Sequence, residues 1–107
     1  MPDRREIGSQ AEHVAASFLR RRRVRVVDRN VENHLGEIDL VAIVDDTRTA
    51  VEVRSRTDED PHQAFDWTKI DRVRRTARAL DPPCLRIDLI TVEFAENCVN
   101  IRWLPDV

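Results

Sequence analysis

Two acidic residues and one arginine lie on two neighbouring segments that are rich in β-branched residues. Asp39 belongs to the segment 35–44, and Glu52 and Arg54 belong to the segment 49–55. Because side chains alternate between the two faces of a strand, hairpin pairing of these segments can bring all three groups to one face. Mg²⁺ takes oxygen ligands in proteins, usually one or two carboxylates completed by water and phosphate. The pattern therefore predicts a divalent-metal site with a cation beside it.

The strands that would position these groups follow from the periodicity of the chain. Five segments combine β-branched residues with interleaved polar ones and are predicted as strands: 24–31, 35–44, 49–55, 85–94 and 98–104. The polar run 45–48 is typical of a hairpin turn. The second and third strands are therefore expected to be antiparallel neighbours.

The first of two expected helices covers residues 9–22. Its apolar residues recur at helical spacing and give one buried face: Ala11, Val14, Ala15, Phe18 and Leu19. Ser9 and Glu12 match the S-x-x-E capping box, in which Glu12 bonds back to the start of the helix. Glu12 also shares a helix side with these apolar residues, so its carboxylate can lean inward instead.

The second helix is expected over 66–80, with Asp66 as its N-cap and with Phe65 and Ile70 as a hydrophobic staple. Its buried stripe consists of Ile70, Val73, Ala77 and Leu80. Its arginines lie largely off that stripe: Arg72, Arg74, Arg75 and Arg78. They form a face that is either solvated or follows a DNA backbone. The order αβββαββ predicts one α/β domain over residues 1–107, a mixed central sheet flanked by two helices.

Two sequence blocks resemble the hallmark of the bacterial YraN family. They are Gly36-Glu37-Ile38-Asp39-Leu40 and Val51-Glu52-Val53-Arg54-Ser55-Arg56. Weaker matches extend the resemblance from about Gly8 to Val92: Gly8, Glu12, Ala15, Arg29-Asn30, Lys69 and Arg86-Ile87-Asp88. The fold of that family resembles the restriction-endonuclease-like PD-(D/E)xK class, and within it the archaeal Holliday-junction resolvases.

The resemblance implies a metal-dependent endonuclease that hydrolyses phosphodiester bonds in DNA, with branched or damaged DNA as candidate substrates. It implies that Asp39 and Glu52 bind Mg²⁺ or Mn²⁺ and that Glu12 is an auxiliary carboxylate. Arg54 occupies the position of the class lysine. Because arginine stays protonated, it can contact the scissile phosphate but cannot accept a proton.

Lys69 is the one basic residue of this chain, among 18, that is not an arginine. We hypothesise that it projects from the second helix into the site and takes over the role of the class lysine. Together with Arg54, Arg56 and Arg72, it is expected to contact nucleic acid.

A non-catalytic descendant of this fold, a nucleic-acid-binding or protein-interaction module, is the alternative, and Arg54 favours it. The structural interpretations are a polar strand face for Asp39 and Glu52, and a helix cap for Glu12. Asp88 lies in a predicted strand and is expected to pair with an arginine. A homodimer is a third alternative, because related resolvases pair to cut two strands.

Composition narrows the classes further. The formal net charge of -2 argues against a generic nucleic-acid coat protein. No apolar run approaches the roughly 20 residues of a membrane span, so no membrane partner is expected. The N-terminal residues lack the apolar core of a signal peptide, which predicts a cytoplasmic protein. Neither Cys84 nor Cys98 has a second Cys or a His at zinc-ligand spacing, so a zinc site is discounted.

Overall fold

The computed structural model describes residues 3–57 and 67–107, without the side chains of Arg4, Arg56, Thr57 and Trp67. Its elements are α1 (Arg4–Arg21), β1 (Arg25–Asn33), β2 (Gly36–Val44), β3 (Thr47–Thr57), α2 (Trp67–Arg78), β4 (Arg86–Phe94) and β5 (Val99–Leu104). The predicted αβββαββ order is confirmed, and every element except α1 begins and ends within about two residues of its prediction. The predicted cap and staple at Phe65 and Asp66 lie outside the described residues.

The five strands form one mixed sheet in the order β1-β2-β3-β4-β5. The first three strands and the last two are antiparallel neighbours, whereas β3 and β4 are parallel and are connected through α2. The predicted hairpin closes at the Val44–Thr47 pair and leaves Asp45 and Asp46 as the two turn residues. Both have positive φ, 49° and 61°, as the type I′ turn requires.

One helix packs on each face of the sheet, and each face has its own apolar cluster. The α1 cluster joins small helix residues, among them Ala11, Ala15 and Ala16, to side chains from β2, β3 and β4. The α2 cluster contains three residues of the predicted stripe, Ile70, Val73 and Ala77. The helix stripes are therefore confirmed, and the sheet is a layer between them. Within the described ranges, neither helix is long and apolar enough to cross a membrane.

Helix α1 begins five residues earlier than the sequence predicts. Asp3 is the N-cap, and its Oδ1 accepts a hydrogen bond from the Glu6 N–H at 2.9 Å. The capping box of Ser9 and Glu12 is therefore wrong, because Asp3 already satisfies the free N–H group at the helix start. Glu12 lies in the third turn, where its carboxyl group points towards the sheet and meets Asp39.

The sequence prediction requires β2 to alternate strictly between its two faces. In the structure it does not. Ile38 belongs to the α2 cluster, whereas Leu40, two residues later, belongs to the α1 cluster. The β2–β3 ladder ends at the Leu40–Val51 pair. Asp39 is the next residue of β2, so it lies where β2 and β3 separate. This fork positions the candidate site.

Asp88 ties β4 to β5 and to the end of the chain. Its side chain is completely buried. Its two carboxylate oxygens accept hydrogen bonds from Arg86 Nε at 2.7 Å, Arg86 Nη2 at 3.1 Å, Trp103 Nε1 at 2.8 Å and the Asp106 N–H at 3.0 Å. The predicted pairing of Asp88 with an arginine is therefore confirmed, and Asp88 has a structural role.

Candidate metal and phosphate site

The Asp39 side chain occupies the fork between β2 and β3. Its Oδ2 accepts a hydrogen bond from the main-chain N–H of Val53 at 2.8 Å. Beyond the Leu40–Val51 pair the strands no longer exchange ladder hydrogen bonds, so the carboxylate satisfies a β3 donor that a strand neighbour would otherwise satisfy. This contact fixes one oxygen of Asp39 and orients the rest of the group.

Three carboxyl groups from three elements meet at this fork. The Asp39 side chain of β2 lies within hydrogen-bonding reach of both Glu12 of α1 and Glu52 of β3. An ionised carboxylate only accepts hydrogen bonds, so contacts between carboxyl groups require that a proton be shared. The metal-free cluster therefore retains protons that an ordinary surface carboxylate would have lost.

The proximity and burial of the three carboxyl groups raise the pKa of each of them. Burial, and then the charge of Glu52, raise the pKa of Asp39 from its ordinary 3.8 to about 7, against the opposing effect of the Val53 N–H. Burial, and then Asp39, raise the pKa of Glu12 from 4.5 to about 7. Burial also raises the pKa of Glu52, although the hydrogen bond with Asp39 and the charges of Arg54 and Lys69 oppose it. A bound cation would favour the ionised forms of all three groups.

Two of the predicted basic residues lie beside Glu52. The charges of Arg54 and Lys69 both act to lower its pKa, which places both cations close to this carboxyl group. Lys69 approaches from the first turn of α2 and is exposed. The hypothesis that Lys69 replaces the class lysine stays a prediction, but the structure brings its charge to the cluster.

The other two predicted nucleic-acid contacts are Arg72 and Arg56. Arg72 is exposed on α2 and lies over the start of β2, where a Cβ on Gly36 would be 3.8 Å from Arg72 Cγ and 2.9 Å from Thr76 Oγ1. A residue without a Cβ is therefore needed at Gly36 for α2 to pack this closely. The side chain of Arg56 lies outside the described part of the chain.

Asn30 is a site residue to which the sequence analysis assigned no role. It has φ of 51° in the middle of β1, directly across from Asp39, because Arg29 pairs with Leu40 and Val31 with Ile38. With its amide turned to suit its neighbours, its nitrogen donates to Glu12 Oε2 and Glu37 Oε1, both at 3.2 Å. The sequence signal for this conformation is an asparagine among the β-branched residues of a strand, because Asn adopts the left-handed backbone region more readily than most residues.

The donor set fits a hard divalent cation held by few protein ligands. Within residues 3–57 and 67–107, no three acidic, histidine or cysteine side chains are arranged as a ready-made set of metal ligands. Asp39 and Glu52 together supply the one or two carboxylates that Mg²⁺ requires, with water and phosphate oxygens completing its coordination. The carboxyl groups face one another through shared protons, and a cation could replace those protons.

Comparison with known proteins assigns the chain to a family. Residues 11–92 match the model of the uncharacterised protein family UPF0102. The chain belongs to UPF0102. This is the YraN family that the two sequence blocks indicated, so the predicted resemblance is confirmed.

Curated UPF0102 proteins match most of this chain. The UPF0102 protein of Paenarthrobacter aurescens is 38% identical over 95 residues, which cover 80% of this chain and 78% of the relative. The UPF0102 protein of Alkaliphilus oremlandii is 32% identical over 95% of this chain and 97% of the relative. The UPF0102 protein of Shewanella oneidensis is 35% identical over 94% of this chain and 96% of the relative. The UPF0102 match contains all seven predicted site residues, whereas β5 lies beyond it.

Proposed function

We propose that this UPF0102 protein is a divalent-metal-dependent endonuclease that hydrolyses phosphodiester bonds in DNA. The observation that carries the proposal is the cluster of Glu12, Asp39 and Glu52 with the cations Arg54 and Lys69 beside it. Three partly buried acids in contact destabilise a fold unless a bound cation uses them, and such arrangements are typical of functional sites. The resemblance to the PD-(D/E)xK class supports DNA as the substrate.

Each residue has a role in this proposal. Asp39 and Glu52 would hold Mg²⁺ or Mn²⁺, which lowers the pKa of bound water and neutralises charge on the phosphate. The Val53 N–H keeps Asp39 in a fixed orientation. Glu12 would supply an auxiliary carboxylate beside the cation, and Asn30 orients Glu12. The Arg54 guanidinium, which cannot act as a base, binds the phosphate oxygens.

Calorimetric titration with Mn²⁺ tests the metal site directly. We expect the wild-type protein to bind Mn²⁺ and the Asp39→Asn variant to lose most of that binding, because the amide removes an anionic ligand but keeps an oxygen for Val53. Binding that is equal in both proteins, or absent from both, would remove Asp39 from the proposal. Glu96→Gln, at an exposed acid in the turn between β4 and β5, is the control.

A cleavage assay with Mn²⁺ on junction, flap and plasmid DNA then tests the reaction. Cleavage of any of these substrates that depends on both Asp39 and Glu52 supports the endonuclease. Comparing Lys69→Arg with the wild type asks whether the lysine does more than supply charge. An unchanged cleavage rate would contradict the hypothesis that Lys69 replaces the class lysine.

The alternative is a non-catalytic module that binds nucleic acid or protein. Arg54 favours it, because no proton acceptor stands at the position of the class lysine. Mn²⁺ binding through Asp39, DNA binding, and no cleavage of any tested DNA would together favour this alternative over the enzyme.

A further inference from the structure

One row of residues runs across the last three strands of the sheet, starting at the candidate site. Arg54 of β3 pairs with Thr91 of β4, and Thr91 pairs with Arg102 of β5. Residues directly opposite one another on neighbouring strands project to the same face of a sheet. Because neighbouring strands are about 4.8 Å apart, the main chain at Arg102 lies about 10 Å from that at Arg54.

The neighbours of these residues identify the face. Val53, Val92 and Ile101 pack in the α1 cluster, and each lies next in sequence to one member of the row. Alternation therefore directs Arg54, Thr91 and Arg102 to the opposite face, which is the face that carries α2. This is also the side from which Lys69 approaches Glu52.

Within residues 3–57 and 67–107, helix α2 does not cover the far part of this face. Its cluster contains residues of β1, β2, β3 and the start of β4, and none of β5. Arg102 is exposed, and among the described residues no hydrogen bond or ion pair engages its side chain. The acid of the adjacent row, Glu93, accepts a hydrogen bond from Asn100 at 3.3 Å. Arg102 thus presents its charge to solvent on the same face as the cations of the site.

We propose that Arg102 is a phosphate-binding residue, and that a DNA strand crosses the sheet from Glu52, Arg54 and Lys69 over Thr91 to Arg102. The proposal rests on the proposed function for its ligand, the phosphodiester backbone. Arg54 engages the phosphate at the site, and the Thr91 hydroxyl donates to a backbone oxygen between the two arginines. Arg102 binds a phosphate outside the reacting position, so it is a positioning residue and touches no reacting atom.

The test is the salt dependence of DNA binding by the full-length protein, measured by fluorescence anisotropy with labelled duplex and junction oligonucleotides in EDTA. Each phosphate contact contributes about 0.9 to the slope of log K against log salt for duplex DNA. We expect Arg102→Gln to reduce that slope by about 0.9 and to weaken binding about tenfold at low salt. Arg102→Lys retains the charge and should keep the wild-type slope.

Arg25→Gln is the matched control, since Arg25 is an exposed arginine on β1, the opposite edge strand. It should bind DNA with the wild-type slope. Wild-type binding with an unchanged slope in Arg102→Gln overturns the role of Arg102 and leaves the proposed function standing. No DNA binding by the wild type overturns the role of Arg102, whereas the cleavage assay with Mn²⁺ tests the proposed function separately. Equal thermal melting curves for the variants confirm that a loss of binding is not a loss of fold.

Discussion

At the level of single residues, two acids of the site have raised pKa values and therefore stay protonated at a higher pH than ordinary carboxyl groups. Glu12 and Asp39 each have a pKa of about 7 in the folded protein, above their ordinary values of 4.5 and 3.8. The folded state therefore binds more protons than the unfolded state between about pH 4 and 7. By linkage, stability is highest below that range and decreases as the pH rises through it.

The unfolding free energy of the metal-free protein is accordingly expected to decrease between pH 4.5 and pH 8. Urea unfolding in EDTA measures it. The Asp39→Asn variant should show a shallower decrease and should exceed the wild type by about 1 kcal/mol at pH 8, where the remaining acids repel one another less. Glu96→Gln should follow the wild-type profile. A wild-type stability that increases over this range would contradict the shared protons.

Asn30 offers a second test at the residue scale, because its backbone and its amide can be altered separately. Asn30→Ala keeps the Cβ at a φ of 51° but removes the polar side chain that lets Asn adopt this region more readily than most residues, and it loses the hydrogen bonds to Glu12 and Glu37, at a cost of about 1 kcal/mol. Asn30→Gly relieves the backbone but lacks the amide as well. We expect Asn30→Gly to melt at a higher temperature than Asn30→Ala, and both to bind Mn²⁺ more weakly than the wild type. Equal melting temperatures would contradict the strain argument.

At the level of elements, the sequence predicted what depends on periodicity. The strands and α2 were predicted closely because their apolar residues recur with the period of the element, and the turn at Asp45 and Asp46 because a polar run separates two strands. The start of α1 was missed because Ser9 with Glu12 satisfies the same local rule as the actual cap, Asp3. Only the helical conformation of residues 4–8, which begins with the hydrogen bond from Ile7 N–H to Asp3 O at 3.0 Å, distinguishes the two.

The sequence singled out the three acids that the structure brings together at the fork, but it missed Asn30 and the geometry of the fork. The family blocks identified Asp39 and Glu52, and helix periodicity allowed Glu12 to point inward. The fork between β2 and β3 was not predicted, because strict alternation places Asp39 on the same face as Val41, which belongs to the α2 cluster. The fork coincides with the left-handed conformation of Asn30 and with the loss of ladder pairing beyond Leu40. The asparagine is a local sequence signal for the first feature, whereas the loss of pairing has none.

At the level of the whole molecule, the two faces of the sheet differ in how far they are covered. Helix α1 and its cluster extend over residues from all five strands, from Val26 of β1 to Trp103 of β5. The α2 cluster covers β1, β2, β3 and the start of β4, and among the described residues it does not include Thr91, Arg102 or the exposed Leu104 beyond them. The acids lie at the boundary between the covered and the open part. A long polymer can therefore approach this site over the open part of the face.

The attachment of β5 and the last residues to β4 depends on the hydrogen bonds of Asp88. We expect Asp88→Ala to lower the unfolding free energy by about 3–5 kcal/mol, because it leaves the partly buried Arg86 without its main partner and removes the acceptor for Trp103. Asp45→Asn removes only the exposed partner of Arg86, at 3.4 Å, and should cost less than about 0.5 kcal/mol. Denaturant unfolding of both variants provides the measurement. A small effect for Asp88→Ala would contradict its structural role.

The hydrogen bond from Val53 to Asp39 has a consequence for how this family can change over evolutionary time. Asp39 accepts a main-chain hydrogen bond in addition to its proposed role as a metal ligand, so a lineage that abandons the proposed chemistry still needs an oxygen acceptor at that position. Among the described residues, the side-chain hydrogen bonds of Glu12 are with Asp39 and Asn30 and not with the main chain, so Glu12 is free to change once the proposed metal is no longer used. Drift at Glu12 with retention of Asp39 is therefore the expected first mark of a descendant that keeps the fold and has lost the reaction.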